Sequence, residues 1–390
     1  MKKRRFLSFL VILCSSFCLL SSGGEPQTLA IRAGKIWTLS DGVITNGVII
    51  IDNGKIQAVG ENIDVPEGAK VLDMPDMNVM PGMIDAYCHI GLSVNVQREI
   101  DETVAAVAAD MQILDAFNPH SDDVKKALRS GVTTIMLAPG YRNPVGGQPA
   151  VVKLDTSKAD GWVLKRTAGV DFSVMNQALM FDREPTSRAG LMEMLREELD
   201  QAKAYKAEEF NPRREVLKRV VDANLPAYIW AHNVDEIASA LTIVDTYGLN
   251  AVLVAAGQGD EVADMIAKRN LPVIYPPLLL SSRDKDLRRA GKIAGSGVKL
   301  AFSSLAPKTD LYDLRTSAIL AVKYGLDKET ALKSLTINAA EILGVSDRLG
   351  SISQGKDADL VVLKGEPLQL TSSIELVMIN GNIVYQRQEE

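Results

Sequence analysis

The chain has 390 residues, 46% of them apolar, and carries 43 Lys and Arg against 49 Asp and Glu for a formal net charge of −6. That length provides for one large domain and a small one, and the acidic balance leaves no basic patch for nucleic acid. Only three cysteines are present, too few for a disulfide framework, so stability has to come from a packed core.

Lys2, Lys3, Arg4 and Arg5 precede an apolar run from Phe6 to Leu20, and Ser21, Ser22, Gly23 and Gly24 follow it. This is the pattern of an export signal over residues 1–23, with a periplasmic or extracellular destination for the mature chain. A lipid anchor fits less well, because Cys14 and Cys18 follow the bulky Leu13 and Phe17. Removal of the signal would leave the chain four charges more negative, with Cys88 as its single thiol. No later apolar run has the ~20 residues of a membrane-spanning helix.

From Leu29 to Val79 short β-rich runs alternate with turn residues, and Asp52-Asn53-Gly54 marks a hairpin, since Asn-Gly supplies the positive φ of a tight turn. The C-terminal segment has the same character, with Leu360 to Leu363 and Val377 to Ile379 strand-like and Asn380-Gly381 between strands. Residues 24–78 and 346–390 are therefore expected to form one small β-sandwich domain.

Between them, over 79–345, short apolar runs alternate with helical patterns, the form of repeated βα units. The runs are Val79 to His89, Val132 to Leu137, Ala150 to Leu154, Asp171 to Met180, Ala227 to His232, Ala251 to Ala255, Pro272 to Tyr275 and Val298 to Ser303. They predict an α/β fold, a closed (β/α)8 TIM-like barrel. Leu191, Leu195, Leu199 and Ala202 give a helix over Ser187 to Tyr205 its buried face. Ser281 and Asp284 have the spacing of a capping box, and His120 begins a helix as a surface or capping residue.

Pro81-Gly82-Met83-Ile84-Asp85-Ala86-Tyr87-Cys88-His89 resembles the Pro-Gly-x-Ile-Asp-x-His-x-His segment that opens the barrel in the amidohydrolase superfamily. Thr336-Ile337-Asn338-Ala339-Ala340 resembles a later helix of that fold, and Gly350 to Val362 resembles the strand returning to its small β-domain. Pro139-Gly140 and Gly146-Gly147 are similar to the imidazolonepropionase-like branch. The resemblance implies a metal site at the C-terminal ends of the barrel strands. Its ligands would be two histidines from the first strand, a carboxylated lysine or glutamate from the fourth, histidines from the fifth and sixth, and an aspartate from the eighth. The metal would acidify a bound water, and the aspartate would take its proton as it attacks carbon bonded to nitrogen.

Carried over position by position, the pattern is incomplete. The first strand has Tyr87 and His89, which alternation places on one face with Cys88 on the other; a neutral tyrosine filling the vacated space is expected, with Cys88 a small buried hydrophobe. The fourth strand has no lysine, the fifth keeps His232 after Trp230, the sixth has Ala256, and the eighth reads Ser304-Leu305-Ala306-Pro307. Leu305 can neither bind a metal nor accept a proton. His89 and His232 remain as candidate metal residues, short of the three protein ligands of catalytic zinc. Gln258, Asp310 and Asp313 are weak substitutes.

Three functions compete. One is a catalytically degenerate, pseudoenzyme relative without cofactor, kept as a binding protein or as partner of a homologous active subunit. The second is an active hydrolase of carbon to nitrogen bonds with a single zinc or iron rebuilt around His89 and His232. The third is a binding barrel whose mouth, lined by Trp230, Tyr141 and Tyr275, takes an apolar or aromatic small molecule.

Overall fold

A computed structural model describes residues 28–92, 100–155, 161–206, 208, 210–308, 310 and 313–388. The expected signal over 1–23 lies outside them.

The first four strands are β1 (Leu29–Trp37), β2 (Val43–Asp52), β3 (Lys55–Gly60) and β4 (Lys70–Pro81). Asn53 and Gly54 turn β2 into β3 with φ of 50° and 75°, as the Asn-Gly pair requires. Nine strands follow: β5 (Met83–Cys88), β6 (Val132–Leu137), β7 (Ala150–Lys153), β8 (Val163–Lys165), β9 (Val170–Ser173), β10 (Ala227–Trp230), β11 (Ala251–Val254), β12 (Val273–Tyr275) and β13 (Leu300–Phe302). The last three, β14 (Leu360–Lys364), β15 (Ser373–Ile379) and β16 (Asn382–Gln386), return to the first sheet. Its order is β16-β15-β14-β4-β1-β2-β3, because β4 is long enough to pair with β1 on one side and β14 on the other. This one continuous sheet curls over a core in which Ile31, Ile49, Ile51 and Ile56 meet Leu360, Val362 and Met378. Backbone bonds from Ile56 N to Lys356 O and from Ala358 N to Gly54 O, each 2.9 Å, tie its far edge back to the chain.

In the barrel, β9 to β13 run parallel in sequence order, and β5 pairs parallel with β6. The third strand departs from the expected repeat. Residues 138–149 hold no helix, and a parallel crossover needs about a dozen residues or more, usually with a helix, so β7 runs antiparallel to β6 and makes a hairpin with β8. The residues just before β7 reach the other half: Gly146 N donates to Asp171 O (2.8 Å) and Ser173 N to Pro144 O (3.1 Å). At the other seam His89 N donates to Ala306 O (2.7 Å), while Asp85 accepts from Ser304 N (3.0 Å) and pairs with the Ser304 hydroxyl. The expected fourth run is shorter than its apolar stretch, stopping at Ser173 before a 3-10 turn at Asn176–Ala178.

Ile84, Met136, Val151, Tyr228, Val252, Ile274 and Ala301 fill the barrel, and Ala339, Leu343 and Leu349 close its floor. Full burial of one such aliphatic side chain stabilises by about 1.5–3 kcal/mol. The helix Arg188–Ala204 begins at Ser187, whose side chain accepts from Gly190 N, and buries Leu191, Leu195, Leu199 and Ala202. The capping box at Ser281 does not form: the helix Asp284–Leu287 starts after Arg283 with no side-chain cap. The neighbouring Ser282 hydroxyl instead accepts from Leu279 N (3.1 Å).

The two parts of the chain are joined by a buried ion cluster. Lys153 is 0% exposed, and its ammonium donates to Asp357 (2.9 Å), Asp359 (2.9 Å) and Asn380 (2.6 Å), using all three of its protons. Arg348 and Lys55 also pair with Asp357, at 2.7 and 2.9 Å. Among the described residues no helix is long and apolar enough to cross a membrane.

Candidate functional site

The C-terminal ends of β5, β6, β10, β11 and β13 bring His89, Tyr87, Tyr141, Trp230, His232 and Lys308 to one end of the barrel. Both histidines are oriented by backbone. His89 Nδ1 lies 2.8 Å from Ala138 O, and His232 Nδ1 lies 3.0 Å from Ala255 O. A carbonyl only accepts, so each Nδ1 carries a hydrogen, and the neutral ring keeps its lone pair on Nε2. Burial lowers the His89 pKa to about 4, against its Ala138 hydrogen bond and helped by the nearby Lys308 charge, so His89 is neutral at pH 7. Gly257 is required beside His232, since a Cβ there would overlap the imidazole ring.

A break in the pairing of β5 with β6 between Asp85 and Cys88 turns Tyr87 inward. Tyr87 and His89 then share a face, with ring centroids 6.0 Å apart, and Cys88 joins the outer core, both as alternation predicts. Tyr87 is fully buried. Its hydroxyl oxygen accepts from Trp230 Nε1 (2.8 Å) and lies 2.8 Å from Pro139 O and 2.7 Å from Asp171 Oδ2. The phenol has one hydrogen for these two acceptors. Both contacts are full hydrogen bonds only when Asp171 brings a proton of its own, donated to Tyr87 while Tyr87 donates to Pro139. Burial raises the Asp171 pKa well above the carboxylate range, and the Asp101 charge adds to it. Asp171 Oδ1 has no hydrogen-bond partner, as the carbonyl end of a neutral acid can tolerate better than a carboxylate. Asp171 is the residue that a search of this strand for lysine passes over. Its signal was a carboxylate in the middle of an otherwise apolar barrel strand.

The remaining positions separate into those at the mouth and those outside it. Trp230 packs against Tyr87 at 5.0 Å and Tyr141 at 4.9 Å, so two of the three expected mouth aromatics meet. Tyr275 does not join them: its ring faces Phe302 in the outer core, because β12 puts it on the helix side. Lys308, also missed in the sequence, donates to the Tyr141 hydroxyl and sits 4.9 Å from that ring's centroid. Ala256 is buried in the outer core. Gln258 accepts from Val234 N at 3.2 Å, capping the helix that follows His232. Leu305 packs against the barrel interior. His120 and Asp310 are exposed, and the side chain of Asp313 lies outside the described ones.

Among the described residues no group of three His, Cys, Asp or Glu side chains is arranged to hold a metal ion. Two imidazoles fall short of the three-ligand set of catalytic zinc. The residues present do not fit the full metal site of this fold.

Barrel, curled β-domain and end-of-strand histidines define a hydrolase-type barrel scaffold. The comparisons agree and narrow it. A model of the amidohydrolase family matches residues 265–384. A solved amidohydrolase from Thermotoga maritima superposes with a TM-score of 0.86 at 30% identity, over 92% of this chain and all of that one. The imidazolonepropionase of Thermoplasma acidophilum is 23% identical over 88% of this chain and 90% of its own. An adenine deaminase of Listeria monocytogenes is 24% identical over 94% of this chain and 58% of its own. The chain belongs to the amidohydrolase superfamily, on its imidazolonepropionase-like side.

Proposed function

We propose that this is a non-hydrolytic member of the superfamily, exported, whose barrel mouth binds a small planar or aromatic molecule. The observation that carries this reading is the locked Tyr87 hydroxyl. It fills the first-strand ligand position and spends its bonding on Trp230, Pro139 and Asp171, leaving nothing to offer a metal. Leu305, at the family's general-base position, turns an apolar side chain to the interior, and loss of general-base catalysis costs about 10² to 10⁴ in rate. Tyr141, backed by the buried Trp230, supplies a partly exposed aromatic face, and Lys308 a positive charge over it. Association with a homologous active subunit is the other role open to such a chain.

One observation favours a second reading. Both histidines hold the tautomer of a metal ligand, with Nδ1–H on a backbone carbonyl, so a single zinc or iron completed by a further ligand would make an active hydrolase of carbon to nitrogen bonds. The chain purified without chelators, assayed for metal by mass spectrometry beside His232→Ala and for hydrolysis of dipeptides, hydantoins and lactams, separates the two. Metal-free protein without turnover, which binds aromatic ligands in a thermal-shift screen, is expected. Near-stoichiometric zinc or iron that is lost in His232→Ala, with turnover, overturns the proposal.

A further inference from the structure

On the flank of the molecule, where the barrel meets the β-domain, Arg129, Arg315 and Arg387 line one cleft of about 630 Å³ together with Thr371, Ser373 and Tyr385. None of its described lining residues is acidic, although the chain as a whole has a net charge of −6. Arg315 is half-buried, in the first turn of the helix Asp313–Lys323. Its guanidinium donates to two backbone carbonyls, Ser372 O at 2.8 Å and Pro367 O at 3.4 Å. Those bonds fix its direction and pin the loop between β14 and β15, but carbonyls are neutral and leave its charge unmatched. Burial accordingly pulls its pKa down. Arg387 has one carboxylate in reach, Glu375 at 3.8 Å, beyond hydrogen-bond distance. No carboxylate lies within 4.0 Å of Arg129 or Arg315 among the described residues. Loop anchoring accounts for Arg315 alone and does not explain why two more guanidinia face the same concave surface.

We propose that this cleft is a binding site for a phosphate-bearing ligand, with the Arg129, Arg315 and Arg387 guanidinia as its charged donors. Guanidinium offers paired N–H donors that match two oxygens of one phosphate, and a doubly charged oxyanion is what three converging cations select over a monoanion. The hydroxyls of Thr371 and Tyr385 add neutral donors at the wall. The site is remote from the barrel mouth and independent of whether that mouth hydrolyses anything.

The test is calorimetric titration of the full chain with pyrophosphate and with inorganic phosphate, against sodium chloride at matched ionic strength, for wild type, Arg315→Gln and Arg129→Gln/Arg387→Gln. The double variant touches exposed side chains that hold no loop, so it reads the site even where Arg315→Gln disturbs folding. Saturable one-site pyrophosphate binding, weakened at least tenfold in the double variant, is expected. Vesicles carrying phosphatidic acid separate the sources: retention lost in the double variant assigns the phosphate to a lipid headgroup, and free pyrophosphate binding without retention assigns it to a soluble ligand. No binding of either, or binding unchanged by the double substitution, overturns the proposal, as does binding that matched chloride abolishes.

Discussion

Asp171→Asn isolates the proton that the geometry assigns to Asp171. The amide Nδ2 can donate to Tyr87 as the acid does, so the fold and the contact at 2.7 Å should survive. What changes is the linkage to pH. An unfolded Asp titrates near ~3.9, and burial raises the native value well above that. Between the two values the native state binds a proton that the unfolded state has released, so stability falls as pH rises. Over that window the slope is about 1.4 kcal/mol per pH unit. Asparagine carries no such proton. Asp85 and Asp101, each held up to about 6 mainly by burial, add a slope of the same sign to both proteins and cancel in the difference. Urea denaturation of wild type and variant at pH 5, 6 and 7 should show Asp171→Asn gaining on wild type at each step. Parallel profiles would mean that Asp171 is ionised in the folded protein, and the proton count at Tyr87 would be refuted.

Removing the ammonium in Lys153→Met strands the buried Asp359 carboxylate, while Asp357 keeps Arg348 and Lys55, and should cost about 3–5 kcal/mol; chemical denaturation measures it, and Asp359→Asn in the same background should recover part of the loss. Leu305 has φ 53°, a region where Asn and Asp are favoured and β-branched residues are strained. Leu305→Asn should therefore stay closer to wild type in thermal stability than Leu305→Val, by about 1 kcal/mol or more; equal losses would remove the backbone argument. The double variant Tyr87→His/Leu305→Asp, read by metal content, should bind more zinc than the wild-type chain.

The fold was legible because its signals are local and repeated. Asn53-Gly54 and Asn380-Gly381 fix turns through φ alone, and alternation put Tyr87 and His89 on one face despite the irregular pairing at the end of β5. The antiparallel third strand was not legible from its own residues, since Ala150 to Leu154 reads the same in either direction. The information lay in the short link before it. Periodicity likewise gave no side for Tyr275, whose inward or outward choice depends on where a three-residue strand begins. Asp171 was missed because the search asked for the family's lysine. A buried acid has meaning only beside its neighbours Tyr87 and Trp230, which lie 84 and 59 positions away in the chain. Lys308 was missed for the same reason, its partner Tyr141 being 167 positions distant.

The backbone at the ends of the sixth and eighth barrel strands takes conformations that its side chains do not favour. Ala255, next to the ligand position at Ala256, and Leu305 have φ of 60° and 53°, an unfavourable choice for either residue. Gly257 still makes room for the His232 ring, and both imidazoles keep the bonds that aim Nε2 outward. At the first strand the Tyr87 phenol and the Asp171 acid satisfy each other. Each depends on the other: histidine at Tyr87 alone would leave the Asp171 proton without its acceptor, in surroundings that penalise ionisation. Restoring a metal site therefore has to supply the metal's positive charge at the same time as the ligands, since only a nearby cation would turn Asp171 from a hydrogen-bond donor into a carboxylate. The fourth strand, which lacks the family's lysine, would then contribute a carboxylate again.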